Sequence, residues 1–252
     1  MANQALNQVP EVQESIINNV KCFLAVMADG SIQQMSKELM AQVLEELLPL
    51  DRMNDCVFIM FHRKSDNYPM AVKPDNWASY QNSGEIAEGV MVVEGGKILV
   101  VAPTEATRYW SSAAVSAGGK TTTDRLTALD DWTGKTSTAD QITHSECNTE
   151  SYAPGFCASY ERVNANGRGL TAGLWWLPSL GELMMIYANM RKINYALSLV
   201  HGATQLSETW YWSSTEYSGN NAWGMYLGGG TVSSNIKATN QFSVRPVSEF
   251  LQ

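Results

Sequence analysis

The stretch "WYWSSTEYSGNNAWGMYLGGGTVSSNIKATNQFSVRPV" (Trp210–Val247) interleaves two kinds of residue. Tryptophan, valine, arginine and proline, which constrain a structure through bulk or backbone restriction, stand at intervals. Glycine, serine, asparagine and threonine fill the positions between them, and Lys237 is the only charged residue from Tyr217 to Ser243. This pattern predicts a rigid framework whose intervening positions can change without unfolding the protein.

Four short strands are predicted within this stretch. "WYWSST" alternates bulky and small side chains, as a half-buried strand does. Three more strands follow over Trp223–Leu227, Thr231–Ile236 and Phe242–Val247. Three consecutive glycines, Gly228, Gly229 and Gly230, mark the turn between the first two of these strands.

One long helix is predicted immediately before the strands. The segment "LWWLPSLGELMMIYANMRKINYALSLVHGA" contains a capping box, because Glu182 follows Ser179 by three residues. Apolar residues then recur near helical spacing, and Gly202 ends the helix. We expect its methionine-rich stripe to belong to the core, and His201 to lie in the last helical turn, where a cation suits the helix dipole.

The residues upstream predict further strands and a long loop region. Asp55–Phe61 has the apolar run of a buried strand, and Gly89–Pro103 is a hairpin joined at Gly95-Gly96. Ser111–Gly173 is polar with little periodicity and is expected to form an elaborate loop region on which its spaced aromatic residues pack. Taken together, these elements predict an α+β domain with its loops gathered on one side.

Residues 1–50 predict a separate small module. Lys21–Met27 is a short apolar strand, Asp29-Gly30 a hairpin turn, and "SIQQM" the returning strand. Ser36 then caps a helix whose apolar face comprises Met40, Val43, Leu44, Leu47 and Leu48. A unit of this size has too little core to be stable alone. We therefore expect it to drive self-association; the alternative is that it packs onto the main domain, residues 51–252.

Composition limits the function classes. The chain has 252 residues, 44% of them hydrophobic, and a net charge of −8. An acidic chain without a lysine and arginine cluster is not expected to bind nucleic acid. No signal-peptide pattern opens the sequence and no apolar run approaches the ~20 residues that span a membrane, so we expect synthesis in the cytoplasm and no membrane insertion.

No motif in the sequence indicates catalysis, a cofactor or a metal. The histidines His62, His144 and His201 lack metal-ligand spacing and are expected at the surface or at helix ends. The adjacent carboxylates Asp130-Asp131 and Glu45-Glu46 are expected to be solvated. No nucleophile elbow, dinucleotide-binding loop or phosphate-binding loop is present.

The four cysteines do not form a zinc or redox motif, since none is spaced as C-x-x-C. Cys147 and Cys157 lie in the polar region and leave two alternatives open, a short disulfide or two free thiols.

Five segments carry a resemblance to a known family: "WWLPSLGEL", "YWSSTE", "NNAW", "VSSNIK" and "VRPV". They resemble the C-terminal half of a C-type-lectin-like fold and, more narrowly, the variable proteins diversified by retroelements, which in bacteriophages are receptor-binding tail proteins. The resemblance covers roughly Leu174–Phe250.

This resemblance implies ligand binding through a randomised face, about residues 210–247, and not catalysis. The implied partners are a host cell-surface ligand, either protein or glycan, and phage tail proteins contacted through the N-terminal module of a homotrimer. The implied location is the tail tip of the virion. Two alternatives are a structural tail or baseplate protein and a bacterial surface adhesin.

Two other activities of the lectin-like fold are not expected here. Calcium-dependent sugar binding requires a motif whose nearest equivalent, "KPDNW" (Lys73–Trp77), lies far upstream of the binding loop. Formylglycine-generating oxidases need a reactive cysteine pair near the C-terminus, and no cysteine follows Cys157.

The family's diversification chemistry divides the residues of Trp210–Val247. Adenines of asparagine codons are randomised, and such codons cannot become codons for Met, Trp, Lys, Glu or Gln. Fixed positions are therefore Trp212, Glu216, Trp223, Met225, Lys237 and Gln241. Arg245 is also expected to belong to the scaffold, together with Trp212 and Trp223.

The residues that the resemblance and the strand pattern assign to ligand binding are Asn220, Asn221, Tyr226, Gly228, Ser233, Asn235, Ala238, Asn240 and Phe242. Because alternate side chains of a strand point to opposite faces, Ser233 and Asn235 share one face and Val232 and Ser234 the other. Tyr226 and Phe242 are expected to be the anchors. The alternative is that all nine are ordinary turn and edge-strand residues.

Overall fold

Residues 22–26, 32–36 and 56–250 are described by the computed structural model. The chain divides into two compact units, Met1–Met53 and Asn54–Gln252. In the first unit, strands β1 (Cys22–Val26) and β2 (Ile32–Ser36) pair antiparallel, which confirms the two predicted strands of the hairpin. The predicted turn at Asp29-Gly30 and the helix carrying the Met40 to Leu48 face lie outside the described residues.

The described residues of the second unit, 56–250, form two five-stranded sheets, a small two-stranded ribbon and five α-helices. The strands are β3 (Cys56–His62), β4 (Pro69–Val72), β5 (Gly89–Glu94), β6 (Lys97–Val101), β7 (Ala106–Tyr109), β8 (Arg162–Val163), β9 (Gly169–Leu170), β10 (Trp210–Glu216), β11 (Asn221–Tyr226), β12 (Thr231–Ile236), β13 (Gln241–Val244) and β14 (Val247–Ser248). The helices are α1 (Trp77–Asn82), α2 (Arg125–Leu129), α3 (Gly134–Gln141), α4 (Ala153–Ser159) and α5 (Leu180–Ser198). These elements confirm the predicted α+β class.

The first sheet has the strand order β14-β6-β5-β3-β4. Its central hairpin, β5 with β6, confirms the predicted one. Gly95 and Gly96 turn the chain with φ of +56° and +75°, a region that glycine enters without steric cost. β3 pairs antiparallel with β5 and is buried, as its apolar run predicts.

The second sheet contains the strands of residues 210–244 and has the order β12-β11-β10-β13-β7. The predicted strand Phe242–Val247 is wrong in its extent, because the chain leaves β13 after Val244 and pairs with β6 of the first sheet from Val247. β10 pairs antiparallel with β11 and parallel with β13, and β12 matches its predicted bounds. β10 differs from its prediction, because every residue from Tyr211 to Glu216 is buried. The reason is that both faces are covered: Tyr211 belongs to the main core, whereas Trp212 packs in a second one.

Helix α5 supplies the main core with its apolar face. Ser179 and Glu182 form the predicted capping box, with the Ser179 N–H donating to the Glu182 carboxylate over 2.7 Å. The helix ends at Ser198, earlier than predicted, and Gly202 turns the chain four residues later with φ of +74°. The placement of His201 in the last helical turn is therefore wrong; its N–H donates to the side chain of Gln81 instead.

The polar region after β7 is more ordered than predicted. It contains α2, α3, α4 and the β8–β9 ribbon, and it covers the second core, which includes Trp110, Leu177 and Trp212. Cys147 and Cys157 are buried in that core as free thiols, so the disulfide alternative is not realised. Burial raises the pKa of the Cys147 thiol to about 12, which leaves it protonated and unreactive.

Two ionisable side chains predicted at the surface, those of His62 and Asp131, are buried. His62 Nδ1 lies 2.8 Å from Glu88 Oε2, and Glu88 also accepts the N–H of Leu170. Asp131 accepts hydrogen bonds from Thr133 and from the Thr215 hydroxyl. Both predictions fail for one reason: partners distant in sequence satisfy these groups inside the fold, which makes their burial tolerable.

The predictions for the histidines and for the adjacent carboxylates also concerned His144 and the pair Glu45-Glu46. His144 is partly buried, and the pair Glu45-Glu46 lies outside the described residues. None of the described helices is long and apolar enough to cross a lipid bilayer.

Candidate ligand-binding face

An aromatic row runs across the outer face of the second sheet. Trp210 lies at its centre, because its ring stacks on Phe242 at 5.5 Å between centroids and contacts Tyr226 at 5.9 Å. The sheet register explains the row, since Trp210 lies directly opposite Tyr226 on β11. All three rings are partly exposed. The two predicted anchors thus share one surface, and Trp210 joins them.

Small polar residues of β12 border this row. Ser233 lies opposite Gly224, and Asn235 opposite Ala222, so both point to the aromatic side of the sheet. Val232 packs against the main core, which confirms the predicted division of faces. We call the surface formed by Trp210, Tyr226, Ser233, Asn235 and Phe242 the aromatic face.

Gly224 creates the space in which part of this face assembles. A Cβ at Gly224 would lie 3.4 Å from the Phe242 ring and 3.5 Å from the Asn235 amide. It would also lie 3.0 Å from the carbonyl oxygen of Tyr211. The lack of a side chain at this position therefore lets the Phe242 ring and the Asn235 amide approach β11.

Gly228 lies beneath the ring of Tyr226 in the glycine turn. A Cβ at Gly228 would lie 2.7 Å from the Tyr226 hydroxyl oxygen, closer than atoms can approach. At Gly229 the same addition would meet the ring at 3.8 Å, an ordinary contact. Gly228 therefore sets where the Tyr226 ring can lie.

The remaining four predicted residues lie on two neighbouring turns and are not joined to the aromatic row. Asn220 and Asn221 are at the β10–β11 turn, where both N–H groups donate to Ser218. Ala238 and Asn240 are at the β12–β13 turn. The two turns are linked by one hydrogen bond, from the Lys237 N–H to the Asn220 carbonyl over 3.1 Å.

A buried ion pair between Lys237 and Glu216 stabilises these turns. The Lys237 ammonium bonds the Glu216 carboxylate, donates to the Val115 carbonyl at 2.7 Å and lies 4.2 Å above the Trp110 ring. Neither side chain of the pair is exposed. Burial lowers the pKa of Lys237, an effect that the Glu216 carboxylate opposes. Lys237, the only charged residue from Tyr217 to Ser243, is thus part of the buried scaffold and not a ligand contact.

The other residues expected in the scaffold are also buried. The Trp212 indole donates to the Arg108 carbonyl at 3.1 Å, and that of Trp223 to the Thr122 carbonyl at 2.9 Å. Arg245 donates to two backbone carbonyls and pairs with the Glu105 carboxylate at 2.8 Å, so its planar guanidinium is held within the scaffold. Gln241 differs, because it is exposed.

Two residues that contribute to this surface, Trp210 and Arg108, were not predicted from the sequence. Trp210 carries a weak signal, because it is two residues from Trp212 in a strand and must share its face. Arg108 carries no signal in the sequence, because only the pairing of β7 with β13 places it opposite Phe242. Its guanidinium lies 4.9 Å from the Phe156 ring, beside a cleft of about 460 Å³ that Glu150 and Gln241 also line.

Nothing in this surface resembles a metal centre. Among the described residues, histidine, cysteine and carboxylate side chains nowhere gather in a group of three that could hold a metal ion. The aromatic face itself offers rings, hydroxyls and amides, a set suited to non-covalent recognition.

Comparison with known proteins gives one family match. The model of the Lcl C-terminal domain matches residues 120–248, just over half of the 252-residue chain. A crystal structure of a fimbrial protein from Bacteroides ovatus is similar with a TM-score of 0.35 and 16% identity, covering 92% of this chain and 49% of that one. The chain therefore spans about half the length of the fimbrial protein. No curated protein matches the chain.

Proposed function

The chain belongs to the Lcl C-terminal domain family, which agrees with its resemblance to retroelement-diversified variable proteins, and we propose that it is a receptor-binding protein of a phage tail. In this proposal it holds a ligand of the host cell surface, protein or glycan, on the aromatic face. Membership of this family indicates a variable ligand-binding protein. We propose in addition that the protein is attached to a phage tail.

One observation carries the proposal: the positions that diversification cannot reach are nearly all buried, whereas the predicted binding residues are exposed. Of the six positions that diversification cannot reach, all except Gln241 are buried. The nine predicted binding residues are all at least partly exposed. Exposed substitutions usually change stability by no more than about 0.5 kcal/mol, so the fold can tolerate many versions of this face.

The composition of the aromatic face favours the binding of a ligand over a purely structural role in tail assembly. Tyr226, Trp210 and Phe242 are partly exposed aromatic side chains, the type that supplies large contact area with few rotatable bonds. Small hydroxyl and amide groups surround them and can adapt to different partners. A surface of this composition does not require a charged ligand.

The proposal extends to the fold and the assembly. The Asn54–Gln252 unit is proposed to be C-type-lectin-like, with the long excursion between β7 and α5 as its loop region. Residues 1–50 are proposed to form the homotrimer and to attach it to other tail proteins, at the tip of the virion. The protein is proposed to act without catalysis, cofactor, nucleic acid or membrane insertion.

The test removes the two anchors together. Tyr226→Ala/Phe242→Ala should weaken attachment to cells of the strain that the phage infects by at least about 30-fold, since interface anchors each cost 2 kcal/mol or more. The matched control is Leu126→Ala/Tyr195→Ala, because these two exposed apolar side chains lie outside the face. Thermal unfolding checks that both variants are folded. Undiminished attachment by the folded anchor variant would overturn the proposal.

A further inference from the structure

Strand β12 is an unusual edge of the second sheet. It is the last strand in the order β12-β11-β10-β13-β7 and pairs with β11 over six consecutive residues without a bulge. Its sequence, "TVSSNI", contains no proline and no charged residue. A regular, uncharged edge of this kind is a template for pairing with another strand.

The other edge strands of the two five-stranded sheets are all protected. β7 has four residues, carries Arg108 and is bridged at Tyr109 by Tyr152. β4 begins with Pro69, and β14 has only two residues. Native proteins blunt sheet edges with such charges, prolines, covering segments and short strands. β12 has none of these devices.

The alternation of hydrogen-bonded and non-bonded positions between β11 and β12 shows which backbone groups of β12 point away from β11. Next to the pair Asn221 and Ile236, the Lys237 N–H donates to the Asn220 carbonyl at 3.1 Å. Bonded and non-bonded positions alternate along an antiparallel pair. Thr231, Ser233 and Asn235 therefore bond β11, and the backbone groups of Val232, Ser234 and Ile236 point outward.

Most of these outward groups have no partner. The Ile236 carbonyl accepts the Asn240 N–H, and the Ser233 hydroxyl approaches the Ser234 carbonyl at 3.4 Å. Among the described residues, none outside the sheet bonds the N–H groups of Val232 and Ser234 or the carbonyl of Val232. Two donors and one acceptor are thus free along the middle of the edge.

We propose that the outer edge of β12 pairs with an extended segment of the target, so that the ligand is a protein and not a glycan. This inference rests on the proposed function. Strand addition takes affinity from backbone hydrogen bonds and specificity from alternate side chains. Backbone groups persist when side chains change, so a diversified face keeps a constant source of affinity. The added strand would carry every second side chain toward Ser233 and Asn235.

A second copy of this chain fits the edge less well. A six-residue strand pair buries far less than the roughly 1,200 Å² of a stable interface. A target that also covers Trp210, Tyr226 and Phe242 extends over the adjoining aromatic face and gains that area. The edge and the face are continuous, because Ser233 and Asn235 belong to both.

The experiment uses a peptide as the probe. Twelve-residue linear peptides displayed on phage are selected on the full chain, and the tightest binder is made in a normal form and in one N-methylated at alternate residues. Ser234→Pro removes an outward N–H while leaving the bonds to β11, and proline is tolerated on edge strands. Ser234→Ala, which changes only the side chain, is the matched control.

We expect Ser234→Pro and the N-methylated peptide each to weaken binding by about 30-fold, and Ser234→Ala to leave it within about threefold. Exchange of the Val232 and Ser234 amide hydrogens should slow when the normal peptide binds. Thermal unfolding of Ser234→Pro checks that the sheet is intact.

Four outcomes overturn the inference. A peptide that binds Ser234→Pro as well as the natural chain, but not Tyr226→Ala, shows that the face binds without the edge. A peptide indifferent to both variants removes the proposed function of the face as well. A selection that yields no edge-dependent binder excludes strand addition, and a dimer that Ser234→Pro dissociates assigns the edge to a second copy.

Discussion

Replacing Lys237 by methionine tests whether the buried ion pair holds the variable stretch in place. Methionine keeps the length and apolar stem of lysine but removes the ammonium. The variant would leave the Glu216 carboxylate in a site where neither side chain is exposed to water. Its remaining partner there is the Ala117 N–H, at 3.2 Å.

The expected loss in the free energy of unfolding is determined by the Glu216 carboxylate, which stays buried without its partner. Removing one partner of a buried pair costs about 3–5 kcal/mol, because the other charge stays unpaired. The contacts of Lys237 with the Val115 carbonyl and the Trp110 ring are lost in the same step and are contained in that figure. For a unit of this size, 1 kcal/mol shifts Tm by about 2–4 °C, so Tm should fall by about 6–20 °C.

A double variant separates the charge from the packing. In Glu216→Leu/Lys237→Met both charges are replaced by apolar groups of similar volume, a change that is often neutral or stabilising for buried pairs. We therefore expect the double variant to recover most of the stability lost by Lys237→Met. Urea unfolding of the natural chain, the two single variants and the double variant gives the coupling free energy.

Two results would refute the reasoning. A loss below about 1 kcal/mol for Lys237→Met would mean that the pair is as weak as a surface salt bridge. Additive losses in the two single variants would mean that Lys237 and Glu216 act independently.

Three further predictions follow from the glycine turn, the helix cap and the N-terminal module. Gly228→Ala should displace the Tyr226 ring and change the near-ultraviolet circular dichroism of the aromatic row, whereas Gly229→Ala should leave the spectrum unchanged; equal spectra for both variants would contradict the contact at Gly228. Burial raises the pKa of Glu182 from 4.5 to about 7, so its contribution to stability is present below pH 4.5 and is lost as the pH rises through about 7. This loss is on the order of 3 kcal/mol, and Glu182→Gln should flatten that part of the profile measured by urea unfolding; an unchanged profile would refute the assignment. Light scattering should find a trimer for the full chain and a monomer for a chain starting at Asp51, and two monomers at micromolar concentration would exclude oligomerisation through residues 1–50.

Elements whose causes are local in sequence were predictable. The Ser179 and Glu182 capping box, the Gly95-Gly96 hairpin and the strand Thr231–Ile236 each depend on residues within a few positions of one another. The division of faces along β12 follows from the twofold period of a strand, and it was predicted correctly. All nine predicted binding residues lie at exposed or partly exposed positions, as expected for the seven small or polar residues among them.

Elements whose causes are distant in sequence were not predictable. The burial of His62 depends on Glu88, and the burial of Asp131 depends on Thr215, 84 positions away. In both cases the polar side chain by itself indicates a solvated group. The partner that makes its burial possible is distant in sequence, so the surrounding residues give no sign of it. The Cys147 and Cys157 thiols likewise stay unpaired for a reason of packing, since each is buried in the second core.

The sequence by itself determined the α+β class, the strand Thr231–Ile236 and the alternation that points Ser233 and Asn235 the same way. Only the tertiary structure decided that Trp210 joins Tyr226 to Phe242, that Arg108 borders the same face, and that the edge of β12 is left open. Periodicity specifies which side of its own strand a residue occupies. Which strands become neighbours depends on pairing between segments far apart in the chain, and that pairing is selected by the burial of the whole core.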